Sequence, residues 1–204
     1  MKLLNRSFLA LCLIVGFGYS QQSQALLSTS LKGGIGLNKM SSTDSGGNSI
    51  AGSSFGIGYQ GGLGLEFSLG VASVAADVLF AQRGSFNTLT TSKWKTILVP
   101  VQAKFSLIPL LSLGLGGYFS TALGDISTES NLGVSTGTTT FAAANLSKSD
   151  FGAVASVGIS LPLGVTTLSV EGRYLYGMKN LQTNATGDAS TKMSAFDMLV
   201  GVTF

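Results

Sequence analysis

Residues 55–69, Phe55-Gly56-Ile57-Gly58-Tyr59-Gln60-Gly61-Gly62-Leu63-Gly64-Leu65-Glu66-Phe67-Ser68-Leu69, sort into two faces of opposite character. The odd positions are Phe55, Ile57, Tyr59, Gly61, Leu63, Leu65, Phe67 and Leu69. The even positions hold Gln60, Glu66, Ser68 and four glycines. Side chains alternate faces along an extended strand, so a period of two puts every large apolar group on one side. Seven more windows show the same alternation, at Leu31–Lys39, Ser73–Arg83, Thr96–Leu107, Leu111–Ser120, Phe151–Leu161, Leu168–Met178 and Ala195–Phe204. In the last five of the eight, the apolar parity carries no charge and no Ser, Thr, Asn or Gln. Each window is about the 9–11 residues that a tilted strand needs to cross a bilayer, or slightly longer.

Composition narrows the meaning of this pattern. The chain has 204 residues, only 10% of them charged, and 28 are Gly. Mean hydropathy is +0.42, yet no apolar run reaches the ~18 residues of a spanning helix. A transmembrane β-barrel satisfies both facts, because it distributes its apolar residues over every second position. A soluble sandwich or lipocalin-like barrel also alternates. Its solvent face would carry Lys and Glu, whereas the polar parity here is rich in Gly and Ser. The spacing between windows also alternates. Connections near Gly70, Ile108-Pro109 and Pro162-Leu163-Gly164 are short, whereas Lys39–Ser54, Gly84–Lys95, Ala122–Asp150 and Lys179–Ser194 are long and polar. Short periplasmic turns and long external loops are the outer-membrane arrangement. The loops are Ser/Thr/Gly/Asn-rich, and the third, Ala122–Asp150, reads as a disordered segment or as a cover over the mouth. Asn145-Leu146-Ser147 and Asn184-Ala185-Thr186 match a glycosylation pattern of low specificity.

The start of the chain reads as a secretion leader. Lys2 and Arg6 form a basic region, Phe8–Tyr19 is apolar but too short to span, and Ser23-Gln24-Ala25 supplies small residues for cleavage. The expectation is a signal peptide over 1–25 and one barrel domain over 26–204. Removing the leader takes away Cys12, the one cysteine, and two of the 12 basic residues, leaving a near-neutral chain against nine acidic residues. No nucleic-acid partner is implied. There is no His, which removes the commonest general base and metal ligand. No GxxxxGK[ST] phosphate loop occurs either. An enzyme, a cofactor and a metal site are therefore not expected.

Hydrocarbon offers no hydrogen bonds to backbone groups, so a spanning sheet closes on itself. Eight strands close around an interior filled by side chains. The inward parity carries Lys32, Arg83, Lys104 and Arg173 against Glu66, Asp77, Glu171 and Asp197. Enclosed ions need partners, so these eight are expected to form a luminal salt-bridge network that fixes register. An ion path or a set of catalytic carboxylates is the competing reading. Asp197 is expected near Arg173 on the neighbouring strand. Gly34, Gly36, Gly56, Gly58, Gly62, Gly64, Gly114, Gly116, Gly152 and Gly158 also fall inward, where a narrow barrel has little room. Outward aromatics fall at two levels, Phe67, Phe105 and Phe204 near the short turns, and Phe55, Phe80, Tyr176 and Phe196 nearer the long loops. Trp94 and Lys95 are expected at the outer rim.

Several segments carry a family resemblance. They are Leu79-Phe80-Ala81-Gln82-Arg83-Gly84, Ile97-Leu98-Val99-Pro100-Val101-Gln102-Ala103-Lys104-Phe105, Gly114-Leu115-Gly116-Gly117-Tyr118, Asp150-Phe151-Gly152, and Glu171 through Asn180. In order and spacing, the chain from Gly56 to Phe204 resembles the PorT-like family of small outer-membrane β-barrel proteins. Phe204 looks like the terminal aromatic read by the barrel-assembly machinery. One departure is Leu98, where the family often has an acidic residue two before the proline. The resemblance implies an all-β, eight-stranded, antiparallel up-and-down transmembrane barrel in the cell outer membrane. It also permits an accessory role in protein secretion or assembly. The residues themselves favour a monomer with a filled lumen, a structural or interaction role through its external loops, and lipid, secretion-system or extracellular partners. A narrow porin-like channel is the remaining alternative.

Overall fold

The computed structural model describes residues 27–48, 54–86, 90–108, 110–130, 136–184 and 189–204. The leader over 1–25 lies outside the described residues. Nine strands follow one another: β1 Leu27–Thr43, β2 Ser54–Leu69, β3 Ala72–Phe86, β4 Thr90–Ile108, β5 Leu111–Ser130, β6 Thr136–Thr139, β7 Ser149–Leu163, β8 Thr166–Gly177 and β9 Ser190–Thr203. Eight of them close a ring in the order β4-β3-β2-β1-β9-β8-β7-β5, with β5 returning to β4. Every pairing is antiparallel. The last strand is hydrogen-bonded to the first, with Ser30 opposite Thr203 and Thr43 opposite Ser190. Closure leaves the ring without a free edge, which is what a hydrocarbon environment demands of a sheet.

The parity read from the sequence divides outside from inside. Leu63, Val101, Ile159, Met198 and Val200 are exposed on the outer face, while Asp77, Gln102, Arg173 and Asp197 are buried within. The aromatics Phe67, Phe105, Phe80, Tyr176, Phe196 and Phe204 all lie outward; the side chain of Phe55 lies outside the described residues. Gln82 interrupts the apolar parity of β3, and its Oε1 accepts a hydrogen bond from the outward Tyr59 hydroxyl at 2.8 Å. Two of the short connections are two-residue turns, Gly70-Val71 and Gly164-Val165. In each, glycine comes first with φ near +75° (76° and 74°), the backbone that a type II′ hairpin turn requires.

Three expectations about the long connections change. The loop expected over Gly84–Lys95 is mostly strand, because β3 runs on to Phe86 and β4 begins at Thr90, with Arg83 opposite Trp94 and Phe86 opposite Thr91. Polar residues on both parities hid these strand ends, although their backbone ladders continue. Second, the third loop contains a ninth strand, β6, paired to the extension of β5. It also contains an ordered turn in which Phe141 is buried. Phe141 is therefore turned inward, while Gly137–Thr140 and Ala142-Ala143 around it are exposed. Third, Trp94 points into the barrel at its long-loop end rather than lying on the outer rim, whereas Lys95 is outward and exposed.

Candidate functional site

The lumen is built from the inward positions of all eight ring strands. Towards the short-turn end, three cations and three anions meet. Lys32 Nζ lies 2.8 Å from Asp77 Oδ1 and 3.6 Å from Glu171 Oε2. Arg173 Nη2 reaches Asp77 Oδ2 at 2.7 Å and Glu171 Oε1 at 2.9 Å, and its Nε donates to the same Glu171 oxygen at 3.1 Å. Lys104 Nζ joins Glu171 at 3.3 Å and Glu66 at 3.6 Å. Neutral donors complete the cluster. Ser73 Oγ donates to Glu66 at 2.6 Å. Gln102 Nε2 donates weakly to Glu171 at 3.5 Å, and its Oε1 accepts from Ser156 Oγ at 2.7 Å.

A second ion pair stands apart from this cluster. Arg83 presents its fork to Asp197, Nη1 to Oδ1 at 2.9 Å and Nη2 to Oδ2 at 3.0 Å. The same Nη1 donates to Asn38 Oδ1 at 2.5 Å. Arg173 and Asp197 are indeed directly opposite in the β8–β9 register, but each pairs elsewhere. Their expected proximity holds, and each makes its ion pair across the barrel, because long side chains span the lumen as readily as they reach a neighbouring strand. All eight charges singled out in the sequence thus point inward, six in one cluster and two in the second pair. Arg173 and Asp197 are both 0% exposed.

Sequence reasoning missed a third component. Leu79, Leu98, Val154, Leu175, Ala195 and Leu199 are also inward and pack with Tyr118 into an apolar layer. Several of these leucines sit beside apolar residues of the opposite parity, so alternation alone gave no sign of which solvent each would meet. Inward bulk where a water-filled channel would need polar walls is the signal that would have found them.

Glu66, Asp77, Glu171 and Asp197 are each held by at least one cation. Free space among the described residues includes a cavity of about 10 Å³ beside Leu98 and Tyr118 and one of about 50 Å³ nearer the long loops. Among the described residues no group of three or more His, Cys, Asp or Glu could hold a metal ion. Pro100 marks a local gap in the wall. The β3–β4 ladder pairs Ala76 with Val101 and Leu79 with Leu98 but skips the residues between. A proline cannot donate to a ladder, and the gap falls beside Asp77, where the ion cluster supplies cross-links from inside.

Several solved structures are similar to this chain. The attachment invasion locus protein Ail of Yersinia pestis, solved in complex with the heparin analogue sucrose octasulfate, is 14% identical, with 87% of this chain and 99% of Ail covered at a TM-score of 0.42. Neisserial surface protein A is 15% identical, with 85% and 95% covered at a TM-score of 0.45. The outer membrane protease OmpT of Escherichia coli is 11% identical, with 89% and 97% covered at a TM-score of 0.49. No curated protein matches. The family model described as "Outer membrane protein beta-barrel domain" matches residues 19–182. The closed ring, the apolar outer face and this match together make the chain an outer-membrane β-barrel protein, and it belongs to the outer membrane protein beta-barrel domain family.

Proposed function

We propose that this protein is a monomeric, non-conducting barrel that acts structurally or through contacts made by its long extracellular loops. The observation that carries this reading is the filled lumen, with Arg173 tied to both Asp77 and Glu171 across the bore and a leucine layer beside it. In this reading the short turns face the periplasm, residues 1–25 are a cleaved leader, the ion network is structural, and Phe204 is read by the assembly machinery. Eight strands leave little free bore, whereas conducting porins usually have 16 or more. Planar-bilayer recording of the purified protein tests it. No steady single-channel steps are expected, and reproducible steps would establish the narrow-pore alternative. The PorT-like segments, Glu171 through Asn180 above all, support a second reading as an accessory for secretion or assembly. Pull-down with loop-deleted variants separates the two. Loss of a secretion component on loop deletion favours the accessory, and loss of an extracellular ligand favours the surface role. The absence of His and the pairing of Glu66, Asp77, Glu171 and Asp197 with cations argue against an enzyme. A Glu171→Gln variant that folds normally but loses a measured turnover would overturn that.

A further inference from the structure

We infer that one side of the barrel's outer wall, at the long-loop end, is a binding surface for the phosphate headgroup of a membrane lipid. Lys95 on β4 lies outward and exposed, between the inward Trp94 and Thr96. Directly opposite it in the β3–β4 ladder is Gln82, and opposite Gln82 in the β2–β3 ladder is Tyr59. The Tyr59 hydroxyl donates to Gln82 Oε1 at 2.8 Å. That bond takes the acceptor end of the amide and leaves its donor end, Nε2, on the strand next to Lys95. Lys39 on β1 and Lys192 on β9 continue the band. Each keeps the outward parity of its strand, Lys39 following Ile35 and Leu37, and Lys192 preceding Phe196 and Met198.

These lysines stand near one level because the strands tilt. Followed from partner to partner around the ring, the row that leaves β4 at Phe105 passes Gly172, Ile35 and Gln82 and returns to β4 at Lys95, closer to the long loops. Each step from Lys95 towards β9 therefore lowers the row by a little over one residue. Lys39 lies beyond Ile35 on the long-loop side, and Lys192 beyond Met198, so both make up that drop. The result is a cationic crescent over five neighbouring strands.

Lysines placed only to reach water would not need to share one side of the ring. Among the described residues, β7 and β8 carry no outward charge, and their outward long-loop ends hold Phe151, Tyr174 and Tyr176. Lys95 and Lys192 make no ion pair among the described residues. The exposed acids Asp125 and Glu129 belong to β5, at one end of the crescent, and Glu129 is held by Lys93 at 2.9 Å. Asp44, in the loop after β1, is turned onto its own loop, where it accepts from the N–H groups of Gly46 and Asn48. The charge left over on this side is positive. Below the crescent the same strands are apolar, with Leu63, Phe80, Val101 and Val200 exposed. A phosphate-bearing lipid fits both parts. Its anion meets the ammonium groups and the Gln82 donor, and its chains lie on the wall beneath. A free anion would use the first part alone.

Native mass spectrometry of the barrel in dodecyl maltoside tests this, with dioleoyl phosphatidic acid as the probe and dioleoylglycerol as its phosphate-free match. Phosphatidic acid should be retained roughly tenfold more than the diglyceride, since each lysine near the headgroup is worth about fivefold. Lys95→Gln alone should lower retention about fivefold. Lys39→Gln, Lys95→Gln and Lys192→Gln combined should bring it to the diglyceride level. Heat-modifiable gel mobility reports that each variant is folded. Lys148→Gln removes an exposed lysine off the crescent and should leave retention unchanged. Inorganic phosphate at the lipid's own concentration should not compete. Equal retention of the two lipids, undiminished retention by the combined variant, or an equal loss with Lys148→Gln would each overturn the assignment. Competition by inorganic phosphate would make the crescent a free-anion site and overturn the lipid as its ligand.

Discussion

The Arg83–Asp197 pair offers the sharpest test of the filled lumen, because it is separate from the larger cluster. Arg83→Met leaves the Asp197 carboxylate, 0% exposed, without a cation. Removing one member of a buried pair costs about 3–5 kcal/mol, since an uncompensated charge remains. Asp197→Asn strands Arg83 in the same way and should cost a similar amount. The double variant removes both charges. What remains is the Asn38 oxygen, which loses its Arg83 donor, a penalty of about 1–3 kcal/mol for one unsatisfied buried group. The double variant should therefore be more stable than either single variant, with a coupling energy of at least about 3 kcal/mol. The assay is urea unfolding in phospholipid vesicles, read by heat-modifiable gel mobility and by Trp94 emission. If the double variant loses the sum of the two single losses, the charges do not face each other inside a closed bore, and the register of β3 against β9 is wrong.

Other variants probe the two faces and the ends. Val200→Arg sets a charge on the exposed outer face of β9 and should cost about 2–4 kcal/mol near mid-membrane; folding into vesicles measures it, and unimpaired insertion would refute the outward assignment. Gly36→Ala places a methyl group against the Asp197 carboxylate, so it should destabilise the folded barrel by about 1–3 kcal/mol while leaving membrane association intact; floatation assays separate the two. Leu98→Ala opens the apolar layer and should cost about 2–5 kcal/mol in the same urea unfolding, without creating conductance. Asp44, in the exposed loop after β1, has its carboxyl held below the ordinary range by the Asn48 backbone N–H. A lowered value means the loop contact is fully present above the unfolded aspartate value of about 3.9 and is lost as pH falls through the lower folded value; NMR shifts of the Asn48 and Gly46 amides should follow that course.

Outside from inside was legible in this chain because lipid enforces parity strictly. Any polar group on the outer face at mid-membrane is costly, so windows such as Thr96–Leu107 sort cleanly. Strand ends were not legible. Beyond the hydrocarbon both faces tolerate Ser and Thr, so Ser85, Ser92 and Thr128 carry no parity even though their ladders continue. Trp94 was misplaced for a related reason. An aromatic at the level of an interface is favoured on either side of the wall, and only the continuing β3–β4 register, with Arg83 opposite it, sets which side it takes.

The luminal pairing was half legible, and the reason lies in the glycines. Sequence reasoning can match neighbours on adjacent strands, which is how Arg173 and Asp197 seemed partners. In the ring, β3 is separated from β9 by β2 and β1. The inward positions that Arg83 must cross to reach Asp197 include Gly36 on β1, where an added Cβ would collide with the Asp197 carboxylate and sit 3.3 Å from Arg83 Nη1. Gly64 on β2 does the same for the lower cluster, where a Cβ would strike Asp77 Oδ1. Two strands lined largely with glycine thus form a trough, and charges on the flanking strands meet over it. The repeated inward glycines of Leu31–Lys39 and Phe55–Leu69 were therefore more than room for a narrow bore. They mark which strands the side chains cross, and that information, read with the ring order, would have paired Arg83 with Asp197.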